Sequence, residues 1–258
     1  MAWAATQSYG KFNLAIIAAC LSMFDAMWLE RQGSRSALGR DFDGPYQRLA
    51  SVDPWAHLYT RPMLEVLLLQ FGSAEAELIA GILSGEQAVQ GALEFADSLA
   101  ADQLPATAEG RAAMIATAGN IEAIVHYSCS IHDLLALAKR TGNIEPIIKA
   151  AGIDVAVLSL PGVIALLRTL QMGQMHDKLG AILATVAKGP HRRRIQYPKL
   201  RWVEYLLRHG KAFETCTQDE IATLIIDDLH LYGDDHEHKD AKKALFAMFR
   251  KWQREAAN

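Results

Sequence analysis

Apolar residues recur at helical spacing along nearly the whole chain. Leu64, Leu67, Leu68 and Phe71 share a face, and Leu78, Ile79, Ile82 and Leu83 repeat the spacing after Gly72-Ser73. Val89, Leu93, Ala96 and Leu99 continue it as far as Pro105. Strict alternation over four or more positions is nearly absent. The run Ile153–Leu160 (IDVAVLSL) is the one strand candidate, and it reads equally well as the opening of a buried helix. The pattern therefore predicts an all-α fold: a multi-helix bundle with room for stacked helical hairpins, plus a small C-terminal three-helix, helix-turn-helix-like unit.

Near the N-terminus, Phe12, Ile16, Cys20, Met23 and Met27 make one stripe, and Ile17, Leu21, Phe24 and Trp28 make a second. A helix apolar on two sides is expected at the centre of a core. Its apolar run Leu14–Phe24 falls well short of the roughly 20 residues a spanning helix needs, and no small-residue cleavage site follows it. A membrane partner is not expected.

Glycine and proline mark the breaks. Residues 31–62 form the longest irregular stretch, within which Asp53-Pro54-Trp55 reads as a helix start. The segments Thr117–Glu122 (TAGNIE) and Arg140–Glu145 (RTGNIE) echo one another, each read as a Gly/Asn helix stop followed by a new helix. Further on, a helix is predicted from Pro198 to His209, ended by Gly210. Thr217-Gln218-Asp219-Glu220 has the form of a capping box, introducing Ile221, Leu224, Ile225 and Leu229. The last helix, about 238–255, is two-sided: Ala241, Leu245, Met248, Phe249 and Trp252 lie on one face, and Lys239, Lys243, Arg250 and Arg254 on the other.

Charge sharpens this division. Residues 1–187 hold 12 Lys/Arg against 18 Asp/Glu, whereas residues 188–258 hold 14 against 11, with His191-Arg192-Arg193-Arg194 near the boundary. Two parts are expected: an acidic, apolar-rich helical body over 1–187 and a basic helical unit over 188–258. A hydrophobic content of 51% with 21% charged residues argues against disorder. The three cysteines, Cys20, Cys129 and Cys216, make no Cys-x-x-Cys pair and no even framework, which favours a reducing, cytoplasmic setting.

Candidate chemistry is of two kinds. On a helix read through 121–139, Glu122, His126, Cys129 and Asp133 fall on one face, a set of side chains able to ligate a metal. His132-Asp133, within IHDLLALAK, resembles the His-Asp pair of the HD phosphohydrolases, which implies a metal that activates water. That family's pattern also needs an earlier His some tens of residues upstream, and the nearest here is His126, six residues away. The loop string Asp234–His238 (DDHEH) offers further ligand types. No phosphate-cradling Gly-rich loop, Rossmann fingerprint or Ser/His/Asp order is present, and no cofactor is expected.

The second kind is electrostatic. Arg192, Arg193, Arg194, Lys199, Arg201, Lys239, Lys242, Lys243, Arg250 and Arg254, with Phe246 at the edge, form the candidate nucleic-acid set, because rows of Lys/Arg beside an aromatic suit phosphate contact and stacking. The expected function is that of a non-enzymatic accessory protein combining protein docking with nucleic-acid phosphate contacts. The alternatives are a pure protein-interaction protein (immunity, inhibitor or assembly subunit) and a metal-dependent HD-like hydrolase.

Overall fold

The computed structural model describes residues 55–70, 108–172, 176–189, 195–210, 214, 216–232 and 240–257, together with Ile17, Leu21, Phe24, Asp25 and Trp28. Every regular element among them is helical and none is a strand, as the spacing of apolar residues predicts. No helix among the described residues is long and apolar enough to cross a membrane. The helices predicted over 78–99, most of the 31–62 loop, Arg192–Arg194, Lys239 and the Asp234–His238 string lie outside the described residues.

The chain forms two units, each assembled from separate stretches. A terminal unit comprises Met1–Met27, Phe71–Leu104 and Gln196–Asn258, and a mid-chain unit comprises Trp28–Gln70 and Pro105–Ile195. Met1–Met27 is grouped with the C-terminal helices in the terminal unit. Of the second apolar stripe, Ile17 and Phe24 are buried and Leu21 and Trp28 half-buried, while the first stripe lies outside the described residues.

In the mid-chain unit, a 3-10 turn over Ala56–Thr60 leads into α1 (Met63–Leu68), and α2 (Ala108–Tyr127) is followed by α3 (Ile131–Thr141) and α4 (Glu145–Ile153). A second 3-10 turn (Val155–Ser159) leads to α5 (Pro161–Met172) and α6 (His176–Lys188). Helix α2 packs against α1, α3, α4 and the first 3-10 turn, while α4 packs against α3, α6 and the second turn. Alanine and glycine let α2 occupy this crowded position: Ala113, Ala116, Ala123, Ile124 and Val125 are all fully buried.

Three details differ from the sequence expectations. The strand candidate at 153–160 is instead an extended Asp154 followed by a 3-10 turn, whose start is held by Asp154 Oδ1 accepting from the Ala156 N–H at 3.0 Å. The first copy of the GNIE echo does not stop a helix. Gly119 and Asn120 lie inside α2, and Asn120 Oδ1 accepts from the Ile131 N–H at 2.9 Å. Only the second copy is a break, with Gly142 left-handed at φ 67 and Asn143 Oδ1 accepting from the Glu145 N–H. Finally, the helix read through 121–139 is two helices. Ser128 adopts φ 59, and Ser130 with Asp133 forms a capping box that starts α3: Ser130 Oγ accepts from Asp133 N–H while Asp133 Oδ2 accepts from Ser130 N–H at 2.8 Å.

In the terminal unit, α7 spans Pro198–His209 with Gly210 at its C-cap, as predicted. The capping box at Thr217 and Glu220 opens α8 (Gln218–Thr223), which continues as a π turn over Leu224–Asp228. Helix α9 is Ala241–Ala257, and it buries Leu245, Phe249 and Trp252. Gln253 Nε2 donates to Glu204 Oε1 of α7 at 3.1 Å, and the Arg201 guanidinium lies 4.8 Å over the Trp252 ring, so polar and stacking contacts join α9 to α7.

Candidate nucleic-acid interface

The buried face of α9 orients the helix and thereby fixes what it shows to solvent. Positions 243, 250 and 254 fall within about 40° of one another at 100° per residue, opposite the buried Leu245, Phe249 and Trp252. Lys243 is 80% exposed and 3.8 Å from Asp240, a contact too loose and too solvated to neutralise it. Arg250 and Arg254 are exposed and form no ion pair among the described residues. The three span about 16 Å of helix axis, the length of about five phosphates along one strand of a duplex.

The other predicted members are placed differently. Lys199 Nζ pairs with Asp25 Oδ2 at 2.7 Å, and Lys242 pairs with Asp219 of α8. Arg201 packs on Trp252, where burial holds its guanidinium below the ordinary arginine range, opposed by Glu255 and Glu204. Phe246 is half-buried and meets Phe249 edge-on at 5.9 Å. The structure thus brings Lys243, Arg250 and Arg254 together on one open face and gives Lys199, Lys242 and Arg201 partners inside the unit. Arg192, Arg193, Arg194 and Lys239 lie outside the described residues.

The candidate metal ligands are dispersed by the break between α2 and α3. Glu122 is fully buried with His126 Nε2 4.0 Å away, Cys129 is buried in the connecting turn, and Asp133 is occupied by its capping box. His132 stands on the first turn of α3. No group of three His, Cys, Asp or Glu among the described residues is arranged to hold a metal.

One functional-looking carboxylate was hidden in the sequence. Glu204 sits within WVEYLL on α7 and is only 2% exposed, set between Arg208 at 3.4 Å and Gln253. Burial pushes its pKa up, opposed by Arg208, Gln253 and Arg201. A carboxyl raised in the folded state contributes stability that is fully present below the ordinary carboxylate range and is lost as pH rises through the raised value. Glu204→Gln, which keeps an acceptor for Gln253 and removes the buried charge, is therefore expected to stabilise the protein at pH 7. That advantage should shrink on acidification. Melting temperatures of both proteins across pH 4–8 read this directly, and an offset independent of pH would contradict it.

Comparison with known proteins finds no matching family model, no matching curated protein and no matching solved structure.

Proposed function

We propose that the chain is a non-enzymatic, cytoplasmic accessory protein that contacts nucleic-acid phosphates through α9 and docks to protein partners elsewhere. The observation that carries this reading is the exposed Lys243, Arg250 and Arg254 face. It stands on a helix whose opposite side is anchored by Leu245, Phe249 and Trp252. A face held in place by a buried core presents its cations in fixed register, and α9 as a whole holds five Lys/Arg against one Glu. Counterion release from the phosphates supplies the driving force.

Replacing Lys243, Arg250 and Arg254 together with alanine is expected to lower the log–log salt slope of duplex binding by about 2–3 units, at about 0.9 per phosphate contact, with helix content unchanged. Gel shifts over a series of salt concentrations read the slope. Equal slopes for the wild-type and triple-alanine proteins would remove α9 from the interface.

A pure protein-interaction role is the second reading. It is favoured by α6, where Ala181, Leu183, Ala184 and Ala187 are all exposed and Leu183 is 41% accessible. A stoichiometric protein partner recovered with no nucleic-acid absorbance would favour it over the first.

A further inference from the structure

We propose that Tyr197 and Tyr232 form a stacking ledge for an unpaired nucleobase, so that the terminal unit binds single-stranded nucleic acid more tightly than duplex. This rests on the phosphate-binding reading of α9.

Tyr197 is held in an unfavourable backbone conformation. Its φ of 56 and ψ of 57 are left-handed, a region that glycine and asparagine enter readily and an aromatic residue seldom does. The residue also precedes Pro198, whose ring favours an extended conformation at the position before it. Burial of the ring does not offset this strain, since Tyr197 is 43% exposed. A backbone outlier at a partly exposed aromatic residue is the kind of strain from which a functional role is inferred.

Its ring is nonetheless oriented. Tyr232 meets it edge-to-face, with centroids 5.4 Å apart and planes at 69°. Tyr232 is half-buried and so forms the fixed side of the pair. Burial and then the neighbouring Tyr197 hold its phenol above the ordinary tyrosine value. A tyrosine has few rotatable bonds, and one already braced loses little freedom on receiving a planar ligand.

Tyr197 caps α7, the helix that meets α9 through Arg201 and Trp252, so ledge and basic face belong to the same terminal unit. The Tyr197 carbonyl accepts from Arg201 N–H at 3.1 Å, one turn before the guanidinium that packs on Trp252 of α9. Cations spaced along α9 favour a polyanion, and an open aromatic ring favours a π-faced ligand. A nucleic-acid strand joins the two chemistries. Inside a duplex both faces of every base but those of the terminal pairs are already stacked, so an unpaired base suits Tyr197 best.

The test uses the full chain, with fluorescence anisotropy on labelled oligothymidylate and oligouridylate of roughly 15 nucleotides and on a blunt DNA duplex of equal length. Tyr197→Asn removes the ring while tolerating the left-handed backbone, and Tyr197→Phe keeps the ring. The Asn variant is expected to bind single strands about 5- to 100-fold more weakly, with salt slope and duplex affinity unchanged and the Phe variant close to wild type. The two single-stranded probes separate DNA from RNA as the preferred source of the base. Single-strand affinity unchanged in Tyr197→Asn, or weakened equally for single strand and duplex, would overturn the ledge while leaving α9 intact. Wild-type protein that binds none of the probes would overturn the phosphate reading and the ledge with it. A ledge that serves a protein partner instead would show as loss of that partner in the Asn variant, with all three oligonucleotide affinities unmoved.

Discussion

Asp154→Ala is expected to destabilise the protein by about 3–5 kcal/mol, because each buried donor left unpaired costs about 1–3 kcal/mol. Asp154 is 8% exposed and accepts three hydrogen bonds: from Tyr59 Oη at 2.6 Å, Trp55 Nε1 at 3.1 Å and the Ala156 N–H at 3.0 Å. One carboxylate therefore ties the first 3-10 turn of the mid-chain unit to the second, across nearly a hundred residues of sequence. Truncating it removes the acceptor shared by a buried phenol, a half-buried indole N–H and a backbone N–H. The three bonds share one acceptor group, so their losses will not add independently. Tyr59→Phe should cost about 1–2 kcal/mol in the wild-type background and less once Asp154 is alanine. Urea denaturation of the four proteins measures this coupling, and fully additive effects would show that the network does not act as a unit.

Gly119→Ala should also destabilise, against the usual rule. Inside a helix, alanine is ordinarily better than glycine by about 1 kcal/mol. At Gly119 of α2, however, an added Cβ would fall well inside contact distance of Tyr59 Oη, with Cζ at 3.2 Å and Cε1 at 3.4 Å. The ring cannot withdraw without stretching its bond to Asp154. Overpacking and the weakened hydrogen bond together should cost about 2–4 kcal/mol. Gly180→Ala, where nothing lies within 4 Å of the added Cβ, is the control and should be neutral or stabilising. Adding Tyr59→Phe to Gly119→Ala should recover part of the loss, since it removes the closest atom. A Gly119→Ala protein whose thermal midpoint equals or exceeds that of the wild type would contradict this packing.

The parts of this molecule legible in the sequence are those decided within a turn or two of chain. The bounds of α7 follow from Pro198 and Gly210, the capping box from Thr217 and Glu220, and the buried face of α9 from the spacing of Leu245, Phe249 and Trp252. The break at Ser128–Ser130 was equally local, and its signal was the Ser-x-x-Asp of Ser130 and Asp133. A stripe of candidate ligands drawn straight through it concealed the cap. The GNIE echo failed for another reason: identical residues stop a helix where Gly142 can turn left-handed at the surface, but not where Gly119 and Asn120 are enclosed by neighbouring helices.

Pairing of charges was not legible at all. Asp25 lies 174 residues from Lys199, and nothing in the local pattern of either announces their ion pair. Likewise Arg201 looks like one more surface cation until α9 brings Trp252 against it. The distinction between cations with a partner in the same unit and cations open to solvent exists only in three dimensions. It narrows the basic set on the described residues to Lys243, Arg250 and Arg254. The strained Tyr197 was hidden for the same reason, because its left-handed backbone depends on how α7 is entered rather than on a Gly or Asn at that position.

The most direct measurement is the salt dependence of nucleic-acid binding by the full-length wild-type protein. Affinity for a labelled strand should fall linearly on a log–log plot as salt is raised from about 50 to 200 mM, with a slope of about −2 or steeper for three phosphate contacts. Absence of binding at the lowest salt, or an affinity indifferent to salt across that range, would contradict a phosphate-contacting α9.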